Sequence, residues 1–234
     1  MNIKNATVLI TGANRGIGLA FTRELLARGA RKVYAAARDP ATVTVQGVQA
    51  LRLDVTIPEE VAAAATLADD VDLVINNAGI AQPGGFLLPD SDAVARRIFE
   101  TNFFGVLNVS KAFAPVLKAN GGGALLNVLS VASWINGGEL GAYAASKSAA
   151  WSLTNALRHE LADQKTQVLG LHMAYVDTDL TRSFEVPKSS AEEIVQRALD
   201  GLEAGVDEVL ADALTQQIRQ GLTAPRPAYL PQGQ

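Results

Sequence analysis

The sequence TGANRGIG (Thr11–Gly18) places three glycines within one short stretch. It follows the apolar run ATVLI at 6–10, which predicts a buried strand, and apolar side chains then recur at helical spacing from Ile17 to Leu25. A glycine-rich turn between a strand and an amphipathic helix is typical of parallel sheets that bind a ligand at the carboxyl ends of their strands. The sequence therefore predicts a binding site at its first turn.

Each of the three glycines suits a different part of such a turn. Gly12 permits the tight turn itself, Gly16 lets the backbone approach a pyrophosphate, and Gly18 lets the helix pack closely on the strand. The helix N-terminus adds free N–H groups and a partial positive charge, both of which attract phosphate. The alternative is a glycine-rich turn that holds no ligand.

Strand and helix patterns alternate along the rest of the chain. Alternation of this kind predicts one parallel sheet with helices on both faces, a doubly wound α/β fold. Further strands are expected at 32–36, 48–55, 69–76, 121–130 and 166–174, helices at 91–119, at 141–163 and after Ser189, and a short last strand and helix within 207–222. With no linker or charge block to divide it, we expect 1–234 to form a single domain.

Composition narrows the classes of function. The chain has 234 residues, a net charge of −4 and no cysteine, which disfavours nucleic-acid or membrane-surface partners and excludes disulfides and thiolate metal sites. His159 and His172 are isolated, so we expect no metal site. No apolar stretch is long enough to span a bilayer and the start lacks the features of a signal peptide, so we expect a cytoplasmic protein.

Several motifs occur together in a characteristic order. They are TGANRGIG, LDV at 53–55, NNAG at 76–79, Asn102 within TNFFG, Ser130, and YAASK at 143–147. With these motifs the chain resembles the classical short-chain dehydrogenase/reductase family over nearly its whole length. The resemblance implies a Rossmann-type sheet, a nicotinamide dinucleotide cofactor and oxidoreductase activity on CH–OH or C=O groups.

The end of the second predicted strand bears on the choice of cofactor. An acid there, about twenty residues past the glycine turn, binds the ribose 2′-hydroxyl of NAD. This chain has Ala37 followed by Arg38, and Arg15 of the glycine turn can reach the same place. Two guanidinium groups without a carboxylate favour a 2′-phosphate, so we expect NADP(H). The alternatives are that both arginines are solvated surface charges, or that Asp39 replaces the missing acid.

The resemblance assigns the rest of the cofactor site. It implies that Asp54 contacts adenine, that the loop from Asn76 to Gly79 follows the adenosine ribose, and that Val176 and Thr178 contact the nicotinamide carboxamide. The predicted cofactor-binding set is Gly12, Asn14, Arg15, Gly16, Ile17, Gly18, Arg38, Asp54, Val55, Asn76, Ala78, Gly79, Tyr143, Lys147, Val176 and Thr178. Before Val176, Met173 and Ala174 replace the Pro-Gly pair that is common in the family.

Four residues form the predicted catalytic set. Tyr143 and Lys147 lie four residues apart on a predicted helix and so share one face, where the ammonium is expected to lower the pKa of the phenol. By resemblance, Tyr143 exchanges a proton with the substrate oxygen and Lys147 also holds the nicotinamide ribose. Ser130 binds the substrate oxygen, and the backbone of Asn102 holds a water that links Lys147 to solvent. Each residue alone has a structural alternative, but their joint occurrence favours catalysis.

The predicted substrate site is mainly apolar and aromatic. It comprises Ser130, Trp134, Leu140, Tyr143, Tyr175 and Phe184, with Phe86 and Val131 as further candidates. Such a lining favours a neutral, hydrophobic ketone or aldehyde. In the segment Asp179–Ser190, where the family has its substrate lid, Arg182 is the one candidate anchor for a carboxylate.

The leading prediction is an NADPH-dependent carbonyl reductase. An NAD-dependent alcohol dehydrogenase is one alternative, and a non-catalytic dinucleotide sensor is another. The intact set Asn102, Ser130, Tyr143 and Lys147 argues against the sensor, which needs no proton donor. By resemblance we expect a homotetramer or homodimer, with the helices at 91–119 and 141–163 against a symmetry mate.

Overall fold

Seven parallel strands form one sheet, in a computed structural model that describes residues 1–231; the last three residues of the predicted domain, 232–234, lie outside the described residues. The strands are β1 Thr7–Thr11, β2 Lys32–Ala37, β3 Gln49–Arg52, β4 Leu73–Asn76, β5 Ala124–Val128, β6 Gln167–His172 and β7 Glu208–Leu210. The order across the sheet is β3-β2-β1-β4-β5-β6-β7. The predicted doubly wound α/β fold is confirmed.

Helices cover both faces of this sheet. They are α1 Gly16–Ala27, α2 Pro58–Leu67, α3 Ser91–Phe99, α4 Gly105–Ala119, α5 Gly141–Glu160, α6 Ala191–Ala204 and α7 Ala213–Gly221. Strand β1 shows how both faces are buried: Val8 and Ile10 pack in the core that contains α1 and α6, while Leu9 packs in the core that contains α2, α4 and α5. A strand covered on both sides reads as a continuous apolar run, as ATVLI does.

The order in which the chain adds strands reverses between the neighbouring strands β1 and β4, and the loops that follow these two strands meet there. An ideal Cβ on Gly12 would lie 3.1 Å from the Cα of Ala78. The amide of Asn77 joins the loops by donating to the carbonyl oxygens of Thr11 and Gly12, at 2.9 and 3.1 Å. Open α/β sheets bind ligands at such a reversal, outside the carboxyl ends of the strands. The fold therefore puts the glycine turn and the NNAG motif side by side at the binding edge.

The helical segment 91–119 differs from the prediction of one continuous helix. A π-helical turn, Glu100–Phe104, separates α3 from α4 and contains Asn102. Directly after it, Gly105 lies so close to Val55 that an ideal Cβ would be 2.5 Å from the Val55 Cγ2. Apolar periodicity does not reveal one extra residue in a turn, so the prediction missed the interruption. Turns of this kind frequently mark functional sites.

The end of α5 also differs from the prediction. The helix ends at Glu160 rather than Asp163. Beyond it Leu161 is buried and Lys165 adopts a left-handed conformation with φ of 60°, as the chain turns toward β6.

Candidate active site

The glycine turn combines left-handed backbone conformations with an open helix N-terminus. Gly12 and Gly16 have φ of 66° and 53°, which other residues adopt rarely. An ideal Cβ on Gly18 would lie 2.1 Å from the carbonyl oxygen of Gly12, so only glycine fits where α1 meets the turn. The first turn of α1 carries no acidic side chain. Asn14 and Ile17 are half-buried within this turn. The turn therefore leaves backbone and helix N-terminus available to an anion.

Two exposed arginines flank this turn. Arg38 follows β2 directly, and no carboxylate in residues 1–231 forms an ion pair with it. Arg15 precedes α1, with its Nη1 3.8 Å from a carboxylate oxygen of Asp179. The carboxylate of Asp39 accepts a 3.0 Å hydrogen bond from the Ala41 N–H and so caps the next turn of the chain. The Asp39 carboxylate is thus engaged in the turn that it caps.

The residues predicted to contact adenosine divide into two groups. Asp54 is half-buried and its Oδ1 accepts from the N–H and the hydroxyl of Thr56, which fixes the carboxylate beside the sheet edge. Ala78 and Gly79 are partly or fully exposed beside the glycine turn. By contrast, Val55 is buried against Gly105. For Val55 only the backbone is left to contact a cofactor.

The side chain of Asn76 does not face the predicted cofactor site, so only its backbone is left to contact a cofactor. The Asn76 amide points into the core, where it donates to the Ser110 hydroxyl at 3.2 Å and to Asn127 Oδ1 at 2.9 Å. A buried amide needs such partners. It is the next residue, Asn77, that reaches the glycine turn. Counting motif positions could not decide which of two adjacent asparagines points outward.

Tyr143, Lys147 and Ser130 come together at the carboxyl edge of the sheet. Lys147 is buried, and its Nζ donates a 2.8 Å hydrogen bond to the carbonyl oxygen of Val128 while lying 5.8 Å from the centroid of the Tyr143 ring. The same Nζ is 3.8 Å from an ideal Cβ on Gly79. Lys147 thus lies between the end of β5 and the loop after β4, with Tyr143 one helical turn away.

The pKa values of Tyr143 and Lys147 differ from the prediction. Burial raises the pKa of Tyr143, and the Ser130 hydroxyl opposes the rise. Burial also lowers the pKa of Lys147 to about 8. The expected lowering of the phenol pKa by the ammonium is not found, because Nζ is held by the Val128 carbonyl rather than at the phenol oxygen. The geometry still allows both groups to face a ligand that occupies the edge of the sheet.

Ser130 lies two residues past the end of β5 and caps a 3-10 turn, Val131–Ser133. Its hydroxyl accepts a 3.1 Å hydrogen bond from the Ala132 N–H and donates to the Met173 carbonyl at 3.5 Å. The backbone of Val131 donates to the same carbonyl at 2.9 Å. Ser130 is therefore held between the ends of β5 and β6, with its hydroxyl on the cavity described below.

Asn102 braces this arrangement from the π-helical turn. Its side chain accepts from the Ile80 N–H at 2.8 Å, donates to the Ile80 carbonyl at 2.9 Å and donates to the Ser146 hydroxyl at 3.0 Å. Ser146 in turn donates to the Tyr143 carbonyl at 2.7 Å. One buried amide thus ties the loop after β4 to the first turns of α5.

A cavity of about 150 Å³ opens in front of Tyr143 and Ser130. Within residues 1–231, no acidic or basic side chain lines it. Its lining comprises Ala81, Pro83, Ser130, Val131, Ala132, Leu140, Tyr143, Ala174, Tyr175, Leu180, Thr181, Ser183 and Phe184. The structure therefore brings five of the six predicted substrate residues together, and it adds Leu180 and Thr181, from the turn Asp179–Thr181, as one wall.

Trp134 and Phe86 lie outside this lining, contrary to the prediction. The Trp134 ring stacks on His172 with 4.1 Å between ring centroids, because the 3-10 turn after Ser130 rotates the tryptophan away from the cavity. Phe86 is half exposed and packs near Gly141. Arg182 pairs with Asp179 and is also absent from the lining. Trp134 therefore belongs to the packing behind the site.

The loop after β6 follows a defined path without a Pro-Gly pair. Asp212 accepts a 2.8 Å hydrogen bond from the Ala174 N–H, which fixes the loop from the side of α7. The Val176 side chain is buried in the core, so only its backbone can meet a cofactor. Thr178 lies beside the glycine turn, with Cγ2 3.4 Å from an ideal Cβ on Gly16.

Sequence reasoning missed three supporting residues: Asn77, Ser146 and Asp212. Asn77 and Ser146 lie inside motifs that were recognised, NNAG and YAASK, and their position beside known site residues was the available signal. Asp212 lies 38 positions from its partner Ala174. A contact over that separation has no local signature.

Two classes of site have no support in the described residues. Residues 1–231 contain no cluster of three or more His, Asp or Glu side chains arranged to hold a metal ion. None of the helices in this part of the chain combines the length and the apolar character that a membrane span needs.

The chain matches the family described as short chain dehydrogenase over residues 6–188. It is 30% identical over 200 residues to 7alpha-hydroxysteroid dehydrogenase from Escherichia coli K12, covering 80% of this chain and 78% of that protein. It is 36% identical over 190 residues to galactitol 2-dehydrogenase (L-tagatose-forming) from Cereibacter sphaeroides, covering 76% and 74%.

Solved structures share the fold. A short chain dehydrogenase from Burkholderia cenocepacia J2315 in complex with NADP superimposes with a TM-score of 0.94, at 40% identity and over 97% of both chains. A short chain dehydrogenase/reductase from Burkholderia phymatum in complex with NAD superimposes with a TM-score of 0.82 at 23% identity, a likeness that shows the fold only.

Proposed function

The chain belongs to the short-chain dehydrogenase family of oxidoreductases, which act on CH–OH and C=O groups, and from this premise we propose that it is an NADPH-dependent carbonyl reductase. One observation carries the proposal. The hydroxyl-bearing residues Ser130 and Tyr143 line one uncharged cavity, and the buried Lys147 lies directly behind Tyr143. This arrangement supplies a proton donor, a hydrogen-bond donor and a cation around one substrate oxygen.

The residues around the sheet edge fit a nicotinamide dinucleotide. The backbone from Gly12 to Gly18 and the N-terminus of α1 would hold the pyrophosphate. Asp54 and the loop from Ala78 to Gly79 would hold the adenosine, and Thr178 with the Val176 backbone would hold the carboxamide. Lys147, which lies under Gly79, would hold the nicotinamide ribose.

Arg15 and Arg38 support the phosphorylated form of the cofactor. Both side chains are exposed at the glycine turn, and Asp39 turns its carboxylate to the Ala41 N–H. Guanidinium groups bind phosphate through paired N–H donors, whereas an adjacent carboxylate repels it. The similarity to a relative in complex with NADP agrees with this choice.

The chain's own residues manage the substrate oxygen. When bound, the dinucleotide supplies a hydride to the carbonyl carbon. Ser130 donates a hydrogen bond to the carbonyl oxygen and stabilises the negative charge that develops there. Tyr143 Oη transfers its proton to that oxygen, and the raised pKa of Tyr143 keeps the phenol protonated until then. Lys147, as an ammonium near the phenol, stabilises the phenolate that is left.

The cavity favours a neutral, hydrophobic ketone or aldehyde. Leu140, Leu180 and the Tyr175–Phe184 pair, whose ring centroids are 5.5 Å apart, form its apolar walls. With no cation in this lining, a carboxylate or phosphate on the substrate would lose its hydration without a partner. We infer that substrates are distinguished here by shape and apolar area.

Two alternative functions, and the oligomeric state, are distinguished from the proposal by different observations. An NAD-dependent alcohol dehydrogenase would need Asp39 to leave the turn that it caps. A non-catalytic dinucleotide sensor would bind cofactor without turnover. We also propose a homodimer or homotetramer that packs through α4 and α5, since Phe104, directly before α4, is 42% exposed. Sedimentation of a Phe104→Glu variant as a smaller species would support this assembly, and an unchanged species would contradict it.

The direct test is consumption of NADPH and of NADH with a panel of aryl ketones, matched with their carboxylated analogues. We expect turnover with neutral ketones, at least tenfold higher kcat/KM with NADPH than with NADH, and little turnover of the carboxylated analogues. Tight NADPH binding without turnover across the panel would support the sensor. A preference for NADH would support the alcohol dehydrogenase.

A further inference from the structure

The carbonyl group of Ser130 is held by a cluster that the proposed mechanism does not use. Its oxygen accepts a 3.0 Å hydrogen bond from the Ser133 N–H, which closes the 3-10 turn. It also lies 3.3 Å from Nδ1 of His172, the last residue of β6. His172 is completely buried. The backbone of the residue that holds the substrate oxygen is therefore fixed from behind by an imidazole.

Glu208 faces the other nitrogen of the same ring. His172 Nε2 lies 3.6 Å from Glu208 Oε1, an ion-pair distance. Nδ1 thus faces the Ser130 carbonyl oxygen and Nε2 faces the Glu208 carboxylate. The attraction of His172, joined by the N–H of Trp151 and the charge of Arg219 and opposed by burial, holds the pKa of Glu208 at about 2. Glu208 is therefore a carboxylate whenever the protein is folded near neutral pH.

The remaining members of the cluster fix the imidazole in its plane. Trp134 stacks on His172 with 4.1 Å between centroids and 22° between planes. Arg219 lies 5.1 Å from the Trp134 ring centroid and 3.5 Å from Glu208 Oε2. The cluster joins the 3-10 turn after Ser130 to β6, β7, α7 and, through Trp151, to α5. These contacts restrict both the rotation of His172 and the position of the turn.

We propose that Glu208 and His172 position Ser130 for the reaction: the carboxylate orients the imidazole, and the imidazole N–H fixes the Ser130 carbonyl and hence the direction of its hydroxyl. The inference rests on the proposed function, because it needs Ser130 to act on the substrate oxygen. A carboxylate that orients a histidine, which in turn fixes a reacting group, is a recurrent device in enzyme sites. Here the histidine acts on backbone rather than on the hydroxyl itself.

A double-mutant cycle separates this role from ordinary packing. We expect Glu208→Gln to lower kcat about tenfold in the wild-type background, with the KM of the ketone and the Kd of NADPH changed less than about twofold. In the Ser130→Ala background the same change should lower kcat less than about twofold, since the group it positions is gone. Equal losses of kcat in both backgrounds would overturn the proposal.

A pair of His172 variants gives an independent measurement. His172→Asn retains an N–H donor near the Nδ1 position, whereas His172→Phe keeps the ring stack but removes both donors. We expect His172→Asn to keep more kcat than His172→Phe even where their unfolding midpoints are equal. If His172→Phe is as active as His172→Asn or more active, the ring stack alone matters and the inference fails. This comparison also tests the positioning role if Glu208→Gln does not fold.

The matched control is Asp70→Asn. Asp70 is another partly buried carboxylate, paired with Lys32 at 3.3 Å and with the Tyr34 hydroxyl at 2.9 Å, beyond the amino end of the sheet. We expect it to leave kcat unchanged. If Ser130→Ala itself leaves kcat unchanged, the proposed function fails; if Ser130→Ala lowers kcat but Glu208→Gln does not, only the positioning role fails.

Discussion

Lys147 Nζ lies 5.8 Å from the centroid of the Tyr143 ring and 2.8 Å from the carbonyl oxygen of Val128. The ammonium is therefore anchored to the end of β5 while it stays within reach of the phenol. Because the same nitrogen is close to Gly79, the pair lies at the junction of the loop after β4 and helix α5. This placement links the fold to the proposed chemistry.

The burial of Lys147 gives a pH dependence of stability. Its pKa is about 8 in the folded chain, whereas a lysine in an unfolded chain titrates near ~10.4. Between these values the unfolded chain binds the proton that the folded chain has lost, so the free energy of unfolding rises with pH in this window. The rise is of the order of 3 kcal/mol.

Lys147→Met removes this contribution. From about pH 7 to about pH 10.5, the free energy of unfolding of the wild type should increase relative to that of the variant by roughly this amount, as measured by urea denaturation. Parallel curves for the two proteins would show that Lys147 is not titrating in this window.

The contact of Gly18 with Gly12 predicts a severe effect of one methyl group. In Gly18→Ala the new Cβ would meet the Gly12 carbonyl oxygen at 2.1 Å, and backbone cannot move aside cheaply. We expect a loss of at least ~2 kcal/mol in the free energy of unfolding and a weakening of NADPH binding by at least tenfold. Gly137→Ala is the control, since an ideal Cβ there meets nothing within 4 Å. Equal behaviour of the two variants would contradict the described turn.

Arg38 predicts the preference for the 2′-phosphate. A charge-assisted hydrogen bond contributes about 1.5–3 kcal/mol, so Arg38→Ala should raise the KM for NADPH by roughly 10- to 100-fold and leave that for NADH nearly unchanged. Arg23→Ala, which removes an exposed arginine on α1, should change neither. An equal rise for both cofactors would exclude a specific phosphate contact.

Replacing Asn102 by alanine should lower both the free energy of unfolding and kcat. Asn102→Ala removes three hydrogen bonds of a buried amide, and the Ile80 backbone and the Ser146 hydroxyl lose these partners. We expect about 2–4 kcal/mol less free energy of unfolding, together with a lower kcat. Asn108→Ala removes one hydrogen bond, from the amide to the Val55 carbonyl, and should cost about 1 kcal/mol. A cost no larger than that of Asn108→Ala would show that Asn102 does not brace the site.

Much of the fold followed from the sequence because local signals agreed. Apolar runs and the glycine turn indicated the same alternation of strand and helix, and the helix expected after Ser189 is α6, which Ser190 caps. The π-helical turn at Asn102 did not follow, since one added residue leaves the apolar periodicity nearly unchanged. Directly after it Gly105 packs closely on Val55, a contact between distant segments that has no local sequence signal.

The sequence indicated which residues lie near the candidate site better than it indicated where their side chains point. Motif position placed Asn76 in the site, yet its amide points into the core. Apolar character placed Trp134 there, yet its indole stacks on His172. The pKa of Tyr143 also depends on burial and on where Lys147 Nζ is anchored. Side-chain directions of this kind follow from tertiary packing, which sequence spacing does not encode.

The central claim is that Tyr143 donates a proton to the substrate oxygen while a nicotinamide dinucleotide is bound. Tyr143→Phe removes one hydroxyl and keeps the ring against Lys147, so we predict an unchanged Kd for NADPH, measured by fluorescence, and a kcat for a neutral ketone at least ~100-fold lower than wild type. A variant that binds NADPH equally well and retains wild-type kcat would contradict the account.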